Sequence, residues 1–419
     1  IAEAVVPPAL GVAAQPRRCE QRRLALDEAD GVGECRIRGL VHENARGRAV
    51  LETIDEFGAG AVGAGCAWRL AREGFEVTLI DPGLQAPLSR QPEAGVPSVA
   101  RNDLNGTMAS LGILMGLVFR RSSGRAWRLR QRSMELWPAW AEELNRPESP
   151  LQLETSLVQM AASAEEGQRQ QQLAAERADL GLRFLSPQTL QCEHPHWPGA
   201  DHGALQSDRD GRIDPLALLG ALRHTLDQCE VRQIAASVGA IERPTAGRTR
   251  FWQLQLDTGE RLEVEQLLIC AALASQTLLR QLNHDLPMEP VLGQVLDLQL
   301  PDGIRPGSDW PAVLVCQGFN LVPHGHNRLW LGATLEPGAA ADPARLNAMQ
   351  TLEGQAPDWL QAAEVIQCWQ GLRARPLNRP APLLEVLEPG LMVATGHYRN
   401  GVLLAPATAE WACSQAKRL

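Results

Sequence analysis

The chain has 419 residues, with 49 acidic against 40 basic side chains and a formal charge of −9. That balance leaves no basic footprint for nucleic acid, and the length suits a substantial core in two domains of about 100 to 200 residues each. Nine cysteines occur without a CxxC pair, so neither a zinc site nor a disulfide framework is expected, and a reducing cytoplasm fits best.

In chain order, residues 1–57 mix Pro, Gly, Arg and acids without a sustained period, which predicts an atypical, weakly ordered segment. Because the sequence starts at Ile1, an atypical gene start or a shifted frame is one expectation for this segment. "LETIDEF" (Leu51–Phe57) makes a poor buried strand, since Asp55 and Glu56 stand where valine or isoleucine would be wanted. Val50, Leu51 and Ile54 allow at most a short, irregular one.

Regular patterning begins at the glycines. Gly58, Gly60 and Gly63 form GxGxxG around Ala61 and Val62. The first glycine allows a tight turn, the second lets backbone approach a pyrophosphate, and the third lets a helix pack close to a strand. "CAWRLAREGF" then predicts a short helix with a glycine stop at Gly74, and "EVTLID" a buried strand ending at Asp81. An acid at that spacing accepts hydrogen bonds from ribose hydroxyls, so the unit is expected to bind a dinucleotide.

Pro82–Leu104 is a Pro- and Gly-rich connection, followed by the apolar run "MASLGILMGLVF" (Met108–Phe119). At about 12 residues the run is too short for the roughly 20 that span a bilayer, and it is expected to be a buried segment. "GRAWRLRQRSMELWPAWAEEL" has helical spacing, with Pro138 a kink or break. "EEGQRQQQLAAERA" predicts a solvated helix face. His194, His196 and His202 fall in turn-like sequence without helical i,i+4 spacing, which points to a loop and not to a metal site. A second helix, "LALLGALRHTL", follows "DGRIDP". Strand patterns come next at "RFWQLQLD", "RLEVEQLLICAAL", "VLGQVLDLQL" and "RLWLGATL", with Cys270 a buried strand residue.

The last stretch narrows the chemistry. "GLRARP" (Gly371–Pro376) and "ATGHYRNGVLLAPATAEWA" (Ala394–Ala412) resemble the D-amino acid oxidase family of FAD-dependent amine oxidases, with the greatest likeness to its glycine oxidase branch in thiamine biosynthesis. "DGRIDPLALLGAL", "LLICAALAS", "VLGQVL" and "LVPHGHNRLWLGAT" match in family order, so the resemblance spans about Gly58 to Ala412. It implies an α/β fold. A Rossmann-like, glutathione-reductase-like FAD-binding domain (58–148, 205–282 and 372–419) would interleave with an antiparallel-sheet substrate domain (149–204 and 283–371).

The chemistry asks for such a set of groups. An amino acid must present its Cα–H to the flavin, which requires a cation for its carboxylate, and arginine's planar fork meets a carboxylate with two parallel bonds. By resemblance Arg373 is that clamp and Arg399 a second arginine beside the flavin ring. Gly396, His397, Asn400, Gly401, Val402 and Leu403 would lie along the isoalloxazine, and Thr107, Leu111, Gly112 and Ile113 would wrap its other side.

Three positions depart from the pattern. Asn320 stands where the family has a substrate-binding tyrosine, Ala271-Ala272-Leu273 replaces a motif ending in glycine, and "GLRARP" has Arg and Pro where the family often has PG. The resemblance implies FAD as cofactor, a small amino acid or amine as substrate, and O2 or another electron acceptor. A homo-oligomer is compatible with it; nucleic acid and a membrane span are not expected. A D-amino acid dehydrogenase, a sarcosine-oxidase-like enzyme and a flavin-binding protein that has lost turnover are the alternatives.

Overall fold

The computed structural model describes residues 59–90, 104–245, 251–304, 306–307 and 309–418, together with the backbone of 48–52. Gly58, the "IDEF" of the leading segment and most of residues 1–57 lie outside the described residues.

A leading strand does precede the glycines in the chain, but it is "RAVLE" (Arg48–Glu52), three residues earlier than "LETIDEF" suggests. It lies in the middle of a six-stranded sheet, parallel to Glu76–Ile80 on one side and Gln266–Ile269 on the other. Arg232–Ile234 and Leu391–Thr395 extend the parallel set, and Leu383–Glu388 closes one edge antiparallel. Gln266–Ile269 and Leu391–Thr395 are buried at every residue, as parallel strands covered on both faces must be.

Helices cover this sheet. Ala61–Arg72 follows the glycine turn and packs against Gly401–Ala416 and Pro215–Gln228. Its Gly65 leaves room for Trp140, since a Cβ there would come within 2.8 Å of the indole. Trp68 and Trp140 meet edge to face, ring centroids 4.9 Å apart, an arrangement that contributes about 0.5–1.5 kcal/mol beyond the area it buries. The helix Gly124–Leu144 runs through Pro138 and does not break there. Its continuity is supported by packing, because Trp137 is fully buried and its Nε1–H donates to the Leu403 carbonyl at 3.0 Å.

The second sheet has ten strands. Its long Met288–Gln299 strand pairs antiparallel with Glu364–Pro376 and Arg328–Gly332, and Phe319–His324 follows in the next position. Ala204–Ile213 belongs to this larger sheet, pairing with Leu153–Met160 and with the two-residue strand Ile113–Leu114. "RLEVEQLLI" forms two strands, Arg261–Val264 and Gln266–Ile269, that lie in different sheets. The "EEGQRQQQLAAE" segment is a helix, Ala164–Glu176, capped by Ser163 Oγ accepting from the Glu166 amide. His194 ends the short helix Pro187–Glu193 and stacks on Trp197 at 3.8 Å.

Candidate cofactor and substrate site

A cavity of about 490 Å³ opens where the parallel strands end and the larger sheet faces them. One wall comes from residues after the central strands: Gly60, Val62 and Gly63, then Cys270 and Ala272, then Ala394–Leu403. The other comes from the larger sheet: Gly293, Asn320, Ala333 and Gly371–Ala374. A site outside the carboxyl ends of parallel strands is where open α/β sheets place their ligands.

Two helix N-termini open onto this cavity. Ala61–Arg72 has no acid in its first turn and no side-chain cap at Gly60; the Ala61 amide donates to Thr107 Oγ1 at 3.1 Å. Gly401–Ala416 has Asn400 at its N-cap, again without a side-chain cap bond, because Asn400 Oδ1 accepts from Arg130 Nη1 at 3.0 Å. Amides in a first helical turn lack intrahelical acceptors and carry the positive end of the dipole, so both termini suit anionic oxygens.

Arg130, Arg373 and Arg399 also line the cavity, and no carboxylate does among the described residues. A diphosphate-bearing flavin and a substrate carboxylate fit that donor set. Thr107, Leu111, Gly112 and Ile113, expected to wrap one side of the flavin, line this cavity, as do Gly396, His397, Gly401, Val402 and Leu403, expected along the other.

Arg373 sits in the Glu364–Pro376 strand, paired with Val291. Its Nη1 donates to the Leu292 carbonyl at 3.0 Å and to the Thr334 carbonyl at 3.1 Å. Burial, and then the charge of Arg399, pull its pKa down to about 10, which still leaves it cationic at neutral pH. Arg399 is exposed on the cavity wall and makes no hydrogen bond or ion pair to a described residue. Asn320 Nδ2 donates to the Gly332 carbonyl at 3.0 Å, which ties its side chain to the neighbouring strand. Ala272 has φ 46°, in the left-handed region that favours glycine, one residue before Leu273. Asp81 is fully buried and accepts from the Gly83 amide at 2.7 Å; it does not line the cavity.

Sequence reasoning passed over Arg130. It lies on the Gly124–Leu144 helix three residues after Trp127 and four before Met134, both buried. A charge set in an apolar helical stripe was the available signal. Burial, then Arg399, bring its pKa down to about 10. Gly293 falls inside the apolar "VLGQVL" stretch, where a glycine within a strand marks close approach of another group.

His397 is buried, and its Nε2 lies 3.0 Å from Thr408 Oγ1. Burial, then Arg125, push its pKa down to about 3, so the ring is neutral in the folded protein. In the unfolded chain it titrates near its ordinary value of about 6.5. Above that value the group contributes no pH dependence. Below it the unfolded state alone takes up a proton, so stability falls with pH, at a limit of about 1.4 kcal/mol per unit. His397→Asn should remove this component, which urea-unfolding midpoints of both proteins at pH 7.5 and 5 would measure. Identical acid slopes would contradict the assignment.

The chain matches the FAD dependent oxidoreductase family, DAO, over residues 57–415. It is 26% identical over 370 residues to the glycine oxidase of Geobacillus kaustophilus, a match covering 84% of this chain and 89% of that one. It is 30% identical over 157 residues to the glycine oxidase of Pseudomonas putida, covering 36% of this chain and 40% of that protein. Its fold is similar to the crystal structure of glycine oxidase from Geobacillus kaustophilus, with a TM-score of 0.72, 22% identity, and coverage of 88% of this chain and 95% of that one. With a matching fold, a cavity built for anionic groups and a family match across nearly its whole described length, this chain belongs to the DAO family of FAD-dependent oxidoreductases and FAD is its cofactor.

Proposed function

We propose that the chain oxidises glycine or another small amino acid or amine to its imine, with dioxygen as the final acceptor and hydrogen peroxide as the product. The observation that carries this reading is Arg373, a half-buried cation in the same cavity as two helix N-termini and, among the described residues, with no carboxylate beside it in the wall. Bound FAD supplies the acceptor for the hydride that leaves Cα.

The chain's residues do the holding. Gly60–Gly63 and Thr107 would take the diphosphate end, with Gly58 completing the turn and Asp81 set at the ribose end. The segment from Gly396 to Leu403 would take the ring, and its helix N-terminus favours negative charge there. Arg373 would clamp the substrate carboxylate, while Arg399 and Asn320 would border the substrate on either side. No described wall residue is placed to act as a general base: His397 is neutral and bonded to Thr408. The amine therefore enters unprotonated, and its second proton leaves to solvent.

The interleaved domains given above, a cytoplasmic setting and a contribution to the thiazole ring of thiamine belong to the same reading. Asn320 favours a second one, since asparagine is shorter than tyrosine and lacks its apolar ring, which admits a bulkier or secondary amine such as sarcosine. An anaerobic titration of the flavin-loaded protein with glycine, sarcosine and D-alanine separates these readings. Bleaching of the band at about 450 nm, which belongs to any oxidised flavin, identifies the amine. Reoxidation by air with peroxide release identifies the acceptor. A flavin that none of the three bleaches would overturn the proposal in favour of a non-catalytic flavoprotein, and reoxidation only by a quinone would favour a dehydrogenase.

A further inference from the structure

Gly293 lies in the middle of the Met288–Gln299 strand, opposite Gly371. A Cβ at this position would stand 2.2 Å from Arg373 Nη2, 2.3 Å from Nη1 and 2.4 Å from Cζ. Its three nearest neighbours would all belong to that one guanidinium. The backbone there is not in the left-handed region, so an alanine meets no conformational obstacle of its own.

The residues on either side complete the arrangement. Leu292 offers its carbonyl to Nη1. Gln294 exchanges bonds with Thr334, its amide donating to Oγ1 at 2.8 Å and its carbonyl accepting from the Thr334 amide at 3.2 Å. That pairing holds the Thr334 carbonyl where it accepts from Nη1 at 3.1 Å. Nη1 is thus committed to two backbone oxygens, whereas Nε and Nη2 make no hydrogen bond to a described residue.

From this we infer that Gly293 is a positioning residue for substrate selection. Its missing side chain lets the Arg373 guanidinium lie flat on the strand, held by Nη1, with its other donors available to a carboxylate in the cavity. The inference rests on the reading of Arg373 as the carboxylate clamp. A methyl group at 293 would displace the far end of a flexible side chain and leave the backbone in place. The expected result is loss of the clamp's geometry without loss of the fold.

The test is a double-mutant cycle on the flavin-loaded protein with Gly293→Ala, Arg373→Met and both together. Glycine turnover gives KM and kcat, and glycolate, a carboxylate without an amine, reports binding through its perturbation of the flavin spectrum. Gly293→Ala should weaken glycolate binding and raise KM for glycine by about 10- to 100-fold, the range expected for a lost charge-assisted bond, with the smaller change in kcat. Adding it to Arg373→Met should change neither quantity further.

If Arg373→Met binds glycolate like the wild type, the clamp reading fails, whatever Gly293 does. If Arg373→Met loses glycolate and Gly293→Ala keeps wild-type affinity, or if the two effects simply add, the positioning role is overturned while the clamp stands. Should Gly293→Ala alone lose FAD, retention of FAD by the double variant would support the inference, because the collision is with the guanidinium. Loss of FAD in both would overturn it.

Discussion

Arg373→Met should lower kcat/KM for the amino acid substrate by about 30- to several-thousand-fold while FAD stays bound. Truncating one partner of a buried, hydrogen-bonded charge pair costs about 2–5 kcal/mol, and about 1.4 kcal/mol is a factor of ten. Methionine keeps most of the side-chain volume, and what it takes from the fold is the pair of Nη1 bonds to the Leu292 and Thr334 carbonyls. The fold has little to lose, because burial first and the field of Arg399 second already disfavour the removed cation. Stopped-flow reduction of the flavin measures the loss, and the flavin spectrum together with the melting temperature verifies that the protein is intact. Reduction at the wild-type rate would end the assignment of Arg373 as clamp. Arg373→Lys should recover part of the activity only, since an ammonium cannot make the paired bonds of a guanidinium.

The glycine turn, the helix after it and the strand Glu76–Ile80 were legible because each obeys a local rule: small residues at a close approach, a helical stripe, a run of buried β-branched and leucine residues. The order of the motifs singled out Thr107–Ile113 and Gly396–Leu403 as flavin-flanking, and residues of both stretches line the cavity. Asn320, flagged as a departure, does stand in the wall, bound to Gly332.

What stayed hidden depends on contacts distant in sequence. Arg130 reaches Asn400 across 270 positions, and although its place in an apolar helical stripe marks it as inward-facing, nothing local names that partner. The leading strand was legible only in part: "LETIDEF" is a poor strand, but Arg48–Glu52, which overlaps its first two residues and contains the Val50 and Leu51 expected in a short strand, pairs on both sides. Pro138 was expected to kink or break its helix; the helix does not break there, and the buried Trp137 and Trp140 around it fix it in place. Local propensity yields to tertiary packing at such positions.

The DGRIDP motif shows the same dependence, and it yields the largest expected effect on stability. Asp210→Ala should lower the unfolding free energy by about 3–5 kcal/mol and weaken FAD binding, because Asp210 organises a segment far from it in sequence. Its carboxylate is fully buried, with Oδ1 accepting from the amides of Gly116 and Leu117 at 2.8 and 2.9 Å, and Oδ2 from Leu117 and Val118 at 3.1 and 2.9 Å. Burial pushes the carboxyl above the usual carboxylate range, and the three amides oppose that push. Removing the side chain leaves three buried N–H groups without an acceptor, at about 1–3 kcal/mol each before water or local shifts relieve some of it.

The segment it holds is part of the site. Met115 and Phe119 line the cavity, the Met115 carbonyl accepts from Arg130, and Arg130 in turn holds Asn400 at the start of the Gly401–Ala416 helix. Arg177 secures the same segment from the other side through the carbonyls of Leu117 and Phe119, so the loop should loosen and not unfold outright. Asp210→Asn, which keeps one acceptor oxygen, should show a smaller loss. Urea unfolding of the apoprotein measures the stability, and fluorescence of flavin passing an ultrafiltration membrane measures its release. The contrast with Arg373→Met is the decisive comparison: that variant should keep its flavin and fail to reduce it, whereas Asp210→Ala should release flavin, yet be reduced by substrate in the fraction that remains loaded. Wild-type stability and flavin retention in Asp210→Ala would show that the amides of Gly116, Leu117 and Val118 find other acceptors, and that the DGRIDP motif does not organise this side of the site.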